Sequence, residues 1–547
     1  MTGYDLKPYR EMLEQNFTYL AGFRRNVHRY ADRPAMHDPA AGRTWSYAEL
    51  GREVDELAAG LAEAGVAPGD VVVYQLLNGP AFAELYLATQ VCGAVGAPIN
   101  FRLAPGETAF ILDDSRPRVY VYDTELGEAA RAALERSEHQ PGLVVAVGDG
   151  DALPGARRLD DLRIPGAAPP DVPHTAYDET TRLYTSGTTG MPKGVPLCSM
   201  AEILTAHDVI MHFPLAPDDK TLNMTPWFHR GGVHVGGPST CFYLGAQTVP
   251  MRVFDPDRCL GLVESLGLTY LAGAPTNLAM LSNAQEERVR DLSTLRGIVT
   301  MGSPLEREAC LRYQKVLTPR VFNGYGTTEA FWNTFLRPSD LPHHAGSAGR
   351  SCTDDDVAVV KIFDDRLAEV HETVAKDNTE VGEVAVRSPK CAYTYVGSPK
   401  TTAEKFHDGW LYIGDLATWD EGEYITIVGR KDDMIITGGE NVHPVQVEEA
   451  LNQHPMIADC MVVGIPDEKW GQRVVAYVVP APGHDGSLTA AECDRHCREH
   501  PMLSNFKRPR GYRFVDALPL TATGKKMHYK AVEQAVEDEA AGSFETP

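Results

Sequence analysis

The chain has 547 residues, and its 51 lysines and arginines stand against 75 aspartates and glutamates, giving a formal net charge of −24. This length exceeds what one hydrophobic core holds, so we expect at least two domains. The acidic balance argues against nucleic acid as a bulk partner, because phosphate backbones are bound by basic surfaces, but it allows a locally positive site for a small anion.

The N-terminal stretch, MTGYDLKPYREMLEQNFTYL, is amphipathic and mixed in charge, without the apolar core and cleavage site of a signal peptide. The sequence contains no run of about 18 apolar residues, so no membrane span is expected. Its ten cysteines are scattered without a CxxC pair. This usage predicts reduced thiols and a cytoplasmic location.

Short apolar runs alternate with helix-like segments between residues 44 and 249. VVVYQLL (71–77) predicts a buried strand, FAELYLATQVCGAVG (82–96) the helix after it, and AVGAPIN (94–100) leads into another strand. This alternation predicts an α/β fold of layered subdomains with mostly parallel strands.

The pattern changes beyond Gly349 to strands separated by short turns, namely VAVVKIF, GEVAVRS, LATWDEGEYITIVG and RVVAYVV. These segments predict a β-rich subdomain with more antiparallel pairing.

A domain boundary is predicted in GRKDDMIITGGENV (429–442), which combines charge, glycine and the end of a strand. We expect a large N-terminal domain over residues 1–429, a connecting segment over 430–434 and a small α+β domain over 435–547. The last is of ordinary domain size, with strands in DCMVVGI and RVVAYVVP and helices around VQVEEALNQH and AAECDRHCREH.

One cluster has the residue types of a zinc site, since Cys493, His496, Cys497 and His500 follow one another at helical spacing. Four ligands strung along one helix span about 10 Å, however, and cannot close a tetrahedron around one ion. We therefore expect one face of a surface helix, partly buried.

The segment TSGTTGMPKG (185–194) has the composition of a phosphate-binding loop. It is not the P-loop NTPase pattern, in which lysine directly follows glycine and precedes a hydroxyl residue. Here Ser186, Thr188 and Thr189 offer hydroxyls before Lys193, and the glycines allow backbone N–H groups to approach oxygens. Taken alone, the segment is equally typical of a surface linker.

Five further motifs accompany this loop in a fixed order: FNGYGTTE (322–329), YIGDLA (412–417), GRKDD (429–433), GGENVHP (438–444) and LTATGKK (520–526). Together they resemble the adenylate-forming superfamily of acyl-CoA synthetases, luciferase-type enzymes and carrier-loading adenylation domains, over roughly residues 30–535. The local likeness is greatest to aryl-CoA ligases of the 4-chlorobenzoate–CoA ligase kind, in GGENVHPVQVEEAL, EKWGQRVVAYVVP and NFKRPRGYRFVDALP. These segments lie mostly in the C-terminal domain, so they support CoA ligation better than an aryl substrate.

The resemblance implies a two-step reaction with ATP, Mg²⁺, coenzyme A and a small carboxylic acid. The carboxylate attacks the α-phosphate of ATP to give an acyl-adenylate, and a thiol then displaces AMP. Because the first step brings two anions together, the site must supply positive charge and hydrogen-bond donors at the phosphorus.

The resemblance also assigns residues to ATP. Thr328 would touch the α-phosphate, Glu329 would bind Mg²⁺ through a carboxylate oxygen, and Tyr325 would stack on adenine. Asp415 would accept both ribose hydroxyls with support from Arg430. The β- and γ-phosphates would be held by Thr185, Ser186, Gly187, Thr188, Thr189, Gly190 and Lys193. The adenine would be edged by Gly302, Ser303, Pro304, Asn323 and Gly324, with Gly326 and Thr327 completing the motif.

Lys525 is the expected catalytic lysine, because the family's motif lysine directly follows glycine. Its ammonium would bridge the carboxylate and the α-phosphate in the transition state, whereas Lys526 is expected in solvent. His229, in TPWFHRGG, would line the way to the acyl carbon. Outside the resemblance, a histidine satisfied within the core is its alternative interpretation.

The family separates the two half-reactions by rotating the C-terminal domain, and Asp432 occupies the hinge position by motif. After rotation, Gly438 and Gly439 would let pantetheine pass, while Trp470 and Phe506 would pack on CoA. Arg508 and Arg510 would meet CoA phosphates, although the run KRPR is equally typical of a solvated surface turn.

The acyl pocket is expected to be formed by His229, Arg230, Gly231, Ala274, Met301, Gly302, Phe331 and Trp332. Bulky aromatic residues after Glu329 would shorten it, which favours an aromatic, cyclic or short-to-medium acid. Arg230 departs from the small or apolar residue usual beside the histidine. It would face either a polar group of the acid or, as we favour, solvent or a nearby acidic residue, because burying an unpaired arginine is costly.

Three alternatives to CoA ligation remain from the sequence: loading of an acyl group onto a separate carrier protein, a luciferase-like oxygenase, and a nucleotide-binding regulator without catalysis. Intact Glu329, Asp415, Arg430 and Lys525 argue against the regulator. The sequence leaves the oligomeric state open, with a homodimer as a state frequent among similar enzymes.

Overall fold

A computed structural model describes most of the chain. The described residues are 5–186, 192–363, 366–431, 433–437, 440–467, 470–484, 486–500, 503, 505–520 and 526–547.

Sixteen α-helices lie in these residues, and local sequence signals begin several of them. Ser46 and Glu49 form a capping box at the start of α3, since the Ser46 side chain accepts from the Glu49 amide and the Glu49 carboxylate accepts from the Ser46 amide. The helices are α1 (Lys7–Glu11), α2 (Tyr19–Arg29), α3 (Tyr47–Glu63), α4 (Pro80–Val91), α5 (Pro105–Ser115), α6 (Gly127–Arg136), α7 (Ser199–His212), α8 (Arg230–His234), α9 (Pro238–Leu244), α10 (Pro256–Leu266), α11 (Pro275–Glu287), α12 (Arg307–Val316), α13 (Pro399–Lys405), α14 (Pro444–Asn452), α15 (Ala490–Glu499) and α16 (His528–Ala540).

The strands of the described residues form four sheets. They are β1 (Pro34–Asp38), β2 (Arg43–Ser46), β3 (Val71–Gln75), β4 (Val95–Pro98), β5 (Val119–Asp123), β6 (Leu143–Val147), β7 (Arg157–Arg158), β8 (Glu179–Ser186), β9 (Pro192–Cys198), β10 (Lys220–Asn223), β11 (Gln247–Thr248), β12 (Tyr270–Gly273), β13 (Gly297–Met301), β14 (Val321–Thr327), β15 (Phe331–Leu336), β16 (Arg350–Ser351), β17 (Asp356–Val360), β18 (Gly382–Arg387), β19 (Phe406–His407), β20 (Trp410–Trp419), β21 (Ile425–Arg430), β22 (Ile435–Thr437), β23 (Glu440–Val442), β24 (Ile457–Asp467), β25 (Gly471–Pro480) and β26 (Tyr512–Phe514).

Two large sheets confirm the predicted α/β layers. One has the strand order β7-β6-β5-β3-β4-β8-β9 and the other β16-β15-β14-β13-β12-β10-β11-β1-β2. The pairs from β3 to β7 are parallel, and so are the successive pairs β10–β12, β12–β13 and β13–β14. The predicted strand 71–77 is β3, which is buried on both faces, as expected for parallel strands covered by helices.

The β-rich region predicted beyond residue 349 forms a sheet of order β17-β18-β20-β19, in which β21 pairs with β20. The β20–β21 pair is antiparallel and runs from Asp415 opposite Arg430 to Trp419 opposite Ile425. The prediction of antiparallel pairing in this region is confirmed there.

The chain divides into two compact units, of which the first is Met1–Val357 with Val386–Leu411 and the second is Ala358–Ala385 with Tyr412–Pro547. This division by compactness does not identify a hinge, so the domain limits 1–429 and 435–547 remain predictions. The hinge candidate Asp432 lies outside the described residues.

The second unit contains the predicted α+β region, with sheet order β23-β22-β25-β24 and β26 beside β25. Helix α15 is the predicted partly buried helix. Cys493 and Cys497 are fully buried in the core of this unit, while His496 Nε2 lies 2.7 Å from the Ala450 carbonyl oxygen. The prediction of a half-buried helix face is confirmed.

One expectation about this unit is wrong. Lys526 does not project into solvent, because its Nζ lies 3.0 Å from Glu448 Oε2 and 2.9 Å from Asp459 Oδ1. Leu520 and Lys526, six positions apart in the chain, are joined by an isolated antiparallel bridge, and residues 521–525 between them lie outside the described part. Two carboxylates of the second unit thus hold the Lys526 ammonium.

No helix within the described residues is both long enough and apolar enough to cross a membrane.

Candidate active site

The hairpin of β14 and β15 places the GYGTTE motif at the carboxyl end of β14, on the edge of the nine-stranded sheet where its parallel strands end. Thr327 pairs with Phe331, so residues 328–330 form the tip. A side chain at Gly326 would bring its Cβ within 1.5 Å of the Phe331 carbonyl oxygen, and one at Gly324 would lie 2.4 Å from Trp332 Nε1. These two glycines are therefore required by the close approach of β15.

The other adenine candidates lie at the same edge, because β12, β13 and β14 are parallel and end together. Ligands of open parallel sheets bind beyond the carboxyl ends of strands. Gly302 follows β13 with a φ of +90°, and no atom lies within 4 Å of where its Cβ would be. Gly302 and Pro304 are exposed and Ser303 is half-buried, so this turn presents its backbone to that edge.

Glu329 lies at the hairpin tip and is held on both its backbone and its side chain. The Ala392 amide donates to the Glu329 carbonyl oxygen at 2.9 Å, and the Tyr395 hydroxyl donates to Glu329 Oε1 at 2.6 Å. The carboxylate is half-buried. A half-accessible carboxylate held by a neutral donor keeps oxygen lone pairs for a hard cation, so the site fits Mg²⁺.

The same segment reaches the strand that follows the predicted phosphate loop. The Val396 amide donates to the Gly194 carbonyl oxygen at 2.9 Å, and Lys193 Nζ lies 5.9 Å from the centroid of the Tyr395 ring. The segment therefore joins two motifs that are far apart in sequence.

The phosphate-loop candidates are only partly described. Strands β8 and β9 form an antiparallel hairpin in which Thr185 pairs with Lys193 and Ser186 with Pro192. Gly187, Thr188, Thr189 and Gly190 lie outside the described residues, and so do Gly438, Gly439 and Lys525.

Several acyl-pocket candidates lie together. Phe331 and Trp332 are buried and stacked, with ring centroids 4.9 Å apart. A Cβ on Gly231 would lie 2.8 Å from Met301 Sδ. Phe331 and Trp332 also belong to one buried cluster with Met301. Ala274 is buried at the start of α11, beyond the end of β12.

His229 occupies the N-cap position of α8 without a side-chain capping hydrogen bond, and its ring centroid lies 4.1 Å from that of Phe228. Its Nε2 is buried and has no hydrogen-bond partner among the described residues. Burial, with a smaller contribution from the charge of Arg102, lowers the pKa of His229 to about 4. The imidazole is therefore neutral near pH 7.

Arg230 was expected to face solvent or a nearby acidic residue, and the solvent-facing alternative is wrong because Arg230 is only 3% exposed. Its Nη1 donates to the Thr328 carbonyl oxygen at 2.7 Å, and its Nη2 donates to the Lys390 carbonyl oxygen at 2.9 Å and to Thr205 Oγ1 at 3.0 Å. Carbonyl and hydroxyl oxygens thus accept from both Nη atoms, whereas the buried Nε has no hydrogen-bond partner among the described residues.

A buried polar network beside these residues is not evident from the sequence. Glu202 and His234 form a fully buried pair, and the Tyr86 hydroxyl donates to Glu202 Oε2 at 2.9 Å. Burial raises the pKa of Glu202, but the charge of His234 and the donated hydrogen bonds outweigh it and hold that pKa below its usual value. The His234 ring centroid lies 6.0 Å from that of Phe331, so the network supports one wall of the candidate pocket.

The ribose candidates of the second unit are brought together by pairing of β20 with β21. Asp415 and Arg430 are cross-strand partners, and Arg430 Nη1 lies 2.5 Å from Asp415 Oδ1. Asp415 as a whole residue is 9% exposed.

The CoA candidates of this unit differ in accessibility. Trp470 is 49% exposed and Phe506 38% exposed. Arg508 instead forms an ion pair with the buried Asp494, and its Nε donates to Asn505 Oδ1 at 2.7 Å. A phosphate contact by Arg508 would therefore compete with an internal ion pair.

Known proteins are similar to this chain in sequence and in fold. Residues 23–396 match the family described as AMP-binding enzyme, and residues 446–525 match its C-terminal domain. A feruloyl-CoA synthase from Amycolatopsis sp is 36% identical over 488 residues, covering 88% of this chain and 92% of that protein. A fatty acid–acyl-carrier-protein ligase from Streptomyces coeruleorubidus is 33% identical over 502 residues, covering 90% of this chain and 93% of that protein.

The solved structure of the anthranilate CoA ligase AuaEII, in complex with anthranoyl-AMP, aligns over 96% of this chain and 98% of that chain. Its TM-score is 0.84 and its sequence identity is 26%. The resemblance indicated by the motifs is thereby confirmed, and the chain belongs to the AMP-binding enzyme family.

Proposed function

We propose that this protein is an ATP-dependent carboxylic acid–CoA ligase that works through an acyl-adenylate, releasing pyrophosphate and then AMP. The observation that carries the proposal is the contact of one segment, residues 392–396, with both Glu329 and the strand that bears Lys193. An enzyme that joins an acid to the α-phosphate needs its metal ligand and its phosphate cation fixed relative to each other.

In the adenylation step, Lys193, Thr185 and Ser186 with residues 187–190 would hold the departing pyrophosphate. Thr328 would donate to the α-phosphate, and Glu329 would hold Mg²⁺, which when bound offsets phosphate charge. Lys525, brought by the C-terminal domain, would neutralise the charge that develops between carboxylate and phosphorus.

The nucleoside would lie along the sheet edge described above. Tyr325 would stack on adenine, whose edge would meet Gly302 to Pro304 and Asn323. Asp415 would accept the ribose hydroxyls, and Arg430 would keep that carboxylate oriented.

Thioester formation would require the C-terminal domain, residues 435–547, to rotate about Asp432. Gly438 and Gly439 would then border the pantetheine path, and the exposed rings of Trp470 and Phe506 would be available to CoA. His229, neutral at pH 7, would line the way to the acyl carbon.

The acid is proposed to be aromatic, cyclic or short-to-medium in length. The buried stack of Phe331 and Trp332, together with Met301, offers compact apolar walls, and apolar contact contributes about 25 cal/mol per Å². The similarity to an enzyme named for the aryl acid ferulate supports the aromatic class.

The decisive assay incubates the purified protein with Mg-ATP and a panel of benzoates, cinnamates, cyclohexane carboxylates and fatty acids of increasing length, with and without CoA. We expect one acid class to drive AMP release that CoA accelerates, with acyl-CoA as product. The Lys525→Ala variant is the negative control for adenylation. AMP release that CoA leaves unchanged for every acid would contradict ligation to CoA.

A carrier-protein loader is the second candidate, because the fatty acid–acyl-carrier-protein ligase covers nearly all of this chain. Replacing CoA in the same assay by a phosphopantetheinylated carrier protein separates the two. Transfer to the carrier alone favours the loader. The cytoplasmic location and the homodimer remain predictions.

A further inference from the structure

Arg230 joins two segments that are remote from it in sequence. Two atoms of its guanidinium donate to the carbonyl oxygens of Thr328 and Lys390, at 2.7 and 2.9 Å. The planar guanidinium has donors in a fixed fork, which can hold two carbonyls at a set separation in a way that a lysine ammonium cannot. Burial lowers the pKa of Arg230 to about 10, with the charge of Glu202 acting in the opposite direction.

Lys390 is itself fixed. Its Nζ lies 3.0 Å from Asp208 Oδ2 and 2.9 Å from Asp355 Oδ2, and all three side chains are at most 2% exposed. Separating buried charges is strongly unfavourable, so the backbone at Lys390 is a rigid support. Asp208 also belongs to a buried group with His212 and Cys352 that has the residue types of a metal site, but here the ammonium of Lys390 supplies the positive charge.

The segment that begins at Lys390 also holds the next residue of the hairpin tip. Ala392 and Tyr395 contact the carbonyl and the carboxylate of Glu329. Thr328 is thus held by Arg230, and Glu329 is held by a segment to which Arg230 is also bound.

We infer that Arg230 is a positioning residue for adenylation, which fixes the Thr328–Glu329 tip against the Lys390 segment so that the α-phosphate donor and the magnesium ligand are correctly placed. This inference rests on the proposed function. Within the protein Nη2 makes two hydrogen bonds and Nη1 makes one, so we expect the guanidinium to act on the hairpin tip and not on the acid. Placement of a catalytic group must be accurate to about 0.5 Å, and an error of about 1 Å can cost roughly 100-fold in rate.

The test compares Arg230→Ala and Arg230→Lys with the unaltered protein by acid-dependent exchange of pyrophosphate into ATP, with Mg²⁺ and the acid varied separately. We expect Arg230→Ala to lower kcat/KM for Mg-ATP by about 10- to 100-fold and to raise the Mg²⁺ concentration needed for half-maximal rate. The rank order of acids should not change. Arg230→Lys should behave like the alanine variant, because charge without the fork does not hold both carbonyls.

Arg158→Ala is the matched control. Its guanidinium also donates to two carbonyl oxygens, those of Gly148 and Gly150 at 2.6 Å each, but within the seven-stranded sheet. This variant should retain the kinetic parameters of the unaltered protein.

A purely structural role would lower the fraction of active enzyme, measured by the burst of acyl-adenylate, and leave KM for Mg-ATP and the Mg²⁺ requirement unchanged. That outcome would overturn the inference. An altered acid ranking with an unchanged Mg²⁺ requirement would do so as well, because it would place the guanidinium in the acyl pocket.

Should Arg230→Ala fail to fold, Thr205→Val serves instead, since it removes one acceptor of the guanidinium at nearly constant volume. A rise in KM for Mg-ATP of at least about 2-fold supports the inference, because the charged guanidinium loses one of its three acceptors, and no change refutes it.

Calorimetric titration with Mg-ATP separates failure of this inference from failure of the proposed function, because it needs no turnover. Weaker binding of Mg-ATP to Arg230→Ala, together with no acid-dependent exchange in the unaltered protein, would leave the positioning role and refute the ligase.

Discussion

The Tyr395 hydroxyl donates a hydrogen bond of 2.6 Å to Oε1 of Glu329, although 65 residues separate them in the chain. The backbone beside this tyrosine also binds Gly194, next to Lys193. One phenol therefore orients the carboxylate proposed to hold Mg²⁺ and ties it to the strand of the phosphate loop.

Tyr395→Phe should keep the fold and impair adenylation. The ring retains its packing, and only the hydrogen bond to a carboxylate is lost, which is worth about 1.5–3 kcal/mol, or at least roughly tenfold in rate. We expect KM for Mg-ATP and the Mg²⁺ concentration needed for half-maximal rate to rise, as measured by pyrophosphate exchange. Tyr393→Phe is the control, because its hydroxyl donates to the Ser388 carbonyl oxygen at 2.8 Å. Equal effects of both changes would show that removing either hydroxyl disturbs the segment, and would contradict a specific role for the hydrogen bond between Tyr395 and Glu329.

Lys525→Ala should separate the two half-reactions. Removing the ammonium eliminates charge stabilisation at the α-phosphate, so acid-dependent pyrophosphate exchange should fall by at least about 100-fold. Transfer of the acyl group to CoA from chemically prepared acyl-adenylate should be nearly unchanged. Lys530→Ala, an exposed lysine of α16, is the control. Equal loss in both half-reactions would contradict the proposed role of Lys525.

Elements whose structure follows from their own local sequence pattern are predictable. Strand β3 begins with four consecutive apolar or aromatic residues, Val71 to Tyr74, which are all buried, and helix α15 has its buried Cys493 and Cys497 at helical spacing. The sequence shows the GYGTTE motif, but it does not show which packing contacts require the glycines of that motif. Gly324 and Gly326 lack side chains because Trp332 and Phe331 cross them closely, a contact that only the hairpin register creates.

Long-range charge pairs were not predictable. Lys525 and Lys526 are adjacent and chemically identical, yet Lys526 is anchored by Glu448 and Asp459, which the fold of the second unit brings to it. Arg230 was expected to face solvent or a nearby acidic residue, because burying an unpaired arginine is costly, but the carbonyls that accept from it come from Thr328 and Lys390. No spacing rule relates residues so far apart.

Lys390→Met should strongly destabilise the protein. It leaves the buried carboxylates of Asp208 and Asp355 without their shared cation, and breaking a buried pair costs about 3–5 kcal/mol of unfolding free energy. Urea denaturation followed by tryptophan fluorescence measures the effect, and the added change Asp208→Asn should restore part of the loss. Lys400→Met, at a side chain 91% exposed, should stay within about 0.5 kcal/mol of the unaltered protein. Equal unfolding midpoints for Lys390→Met and Lys400→Met would contradict the buried network.

Titration of His229 should not contribute to the pH dependence of the adenylation rate near neutrality. Its pKa in the folded protein is about 4, below the value of about 6.5 expected when unfolded. The neutral imidazole therefore contributes stability that is fully present above pH about 6.5 and is lost as the pH falls toward 4.

His229→Asn tests both consequences, because asparagine is polar and does not titrate. Between about pH 6 and 8, kcat/KM for the acid should have the same pH profile in the variant and the unaltered protein, whatever the difference in absolute rate. Below pH about 6.5 the unaltered protein should lose unfolding free energy faster than the variant does. An acid limb near pH 6.5 that vanishes in His229→Asn would mean that the imidazole titrates in the active enzyme and exchanges a proton during catalysis.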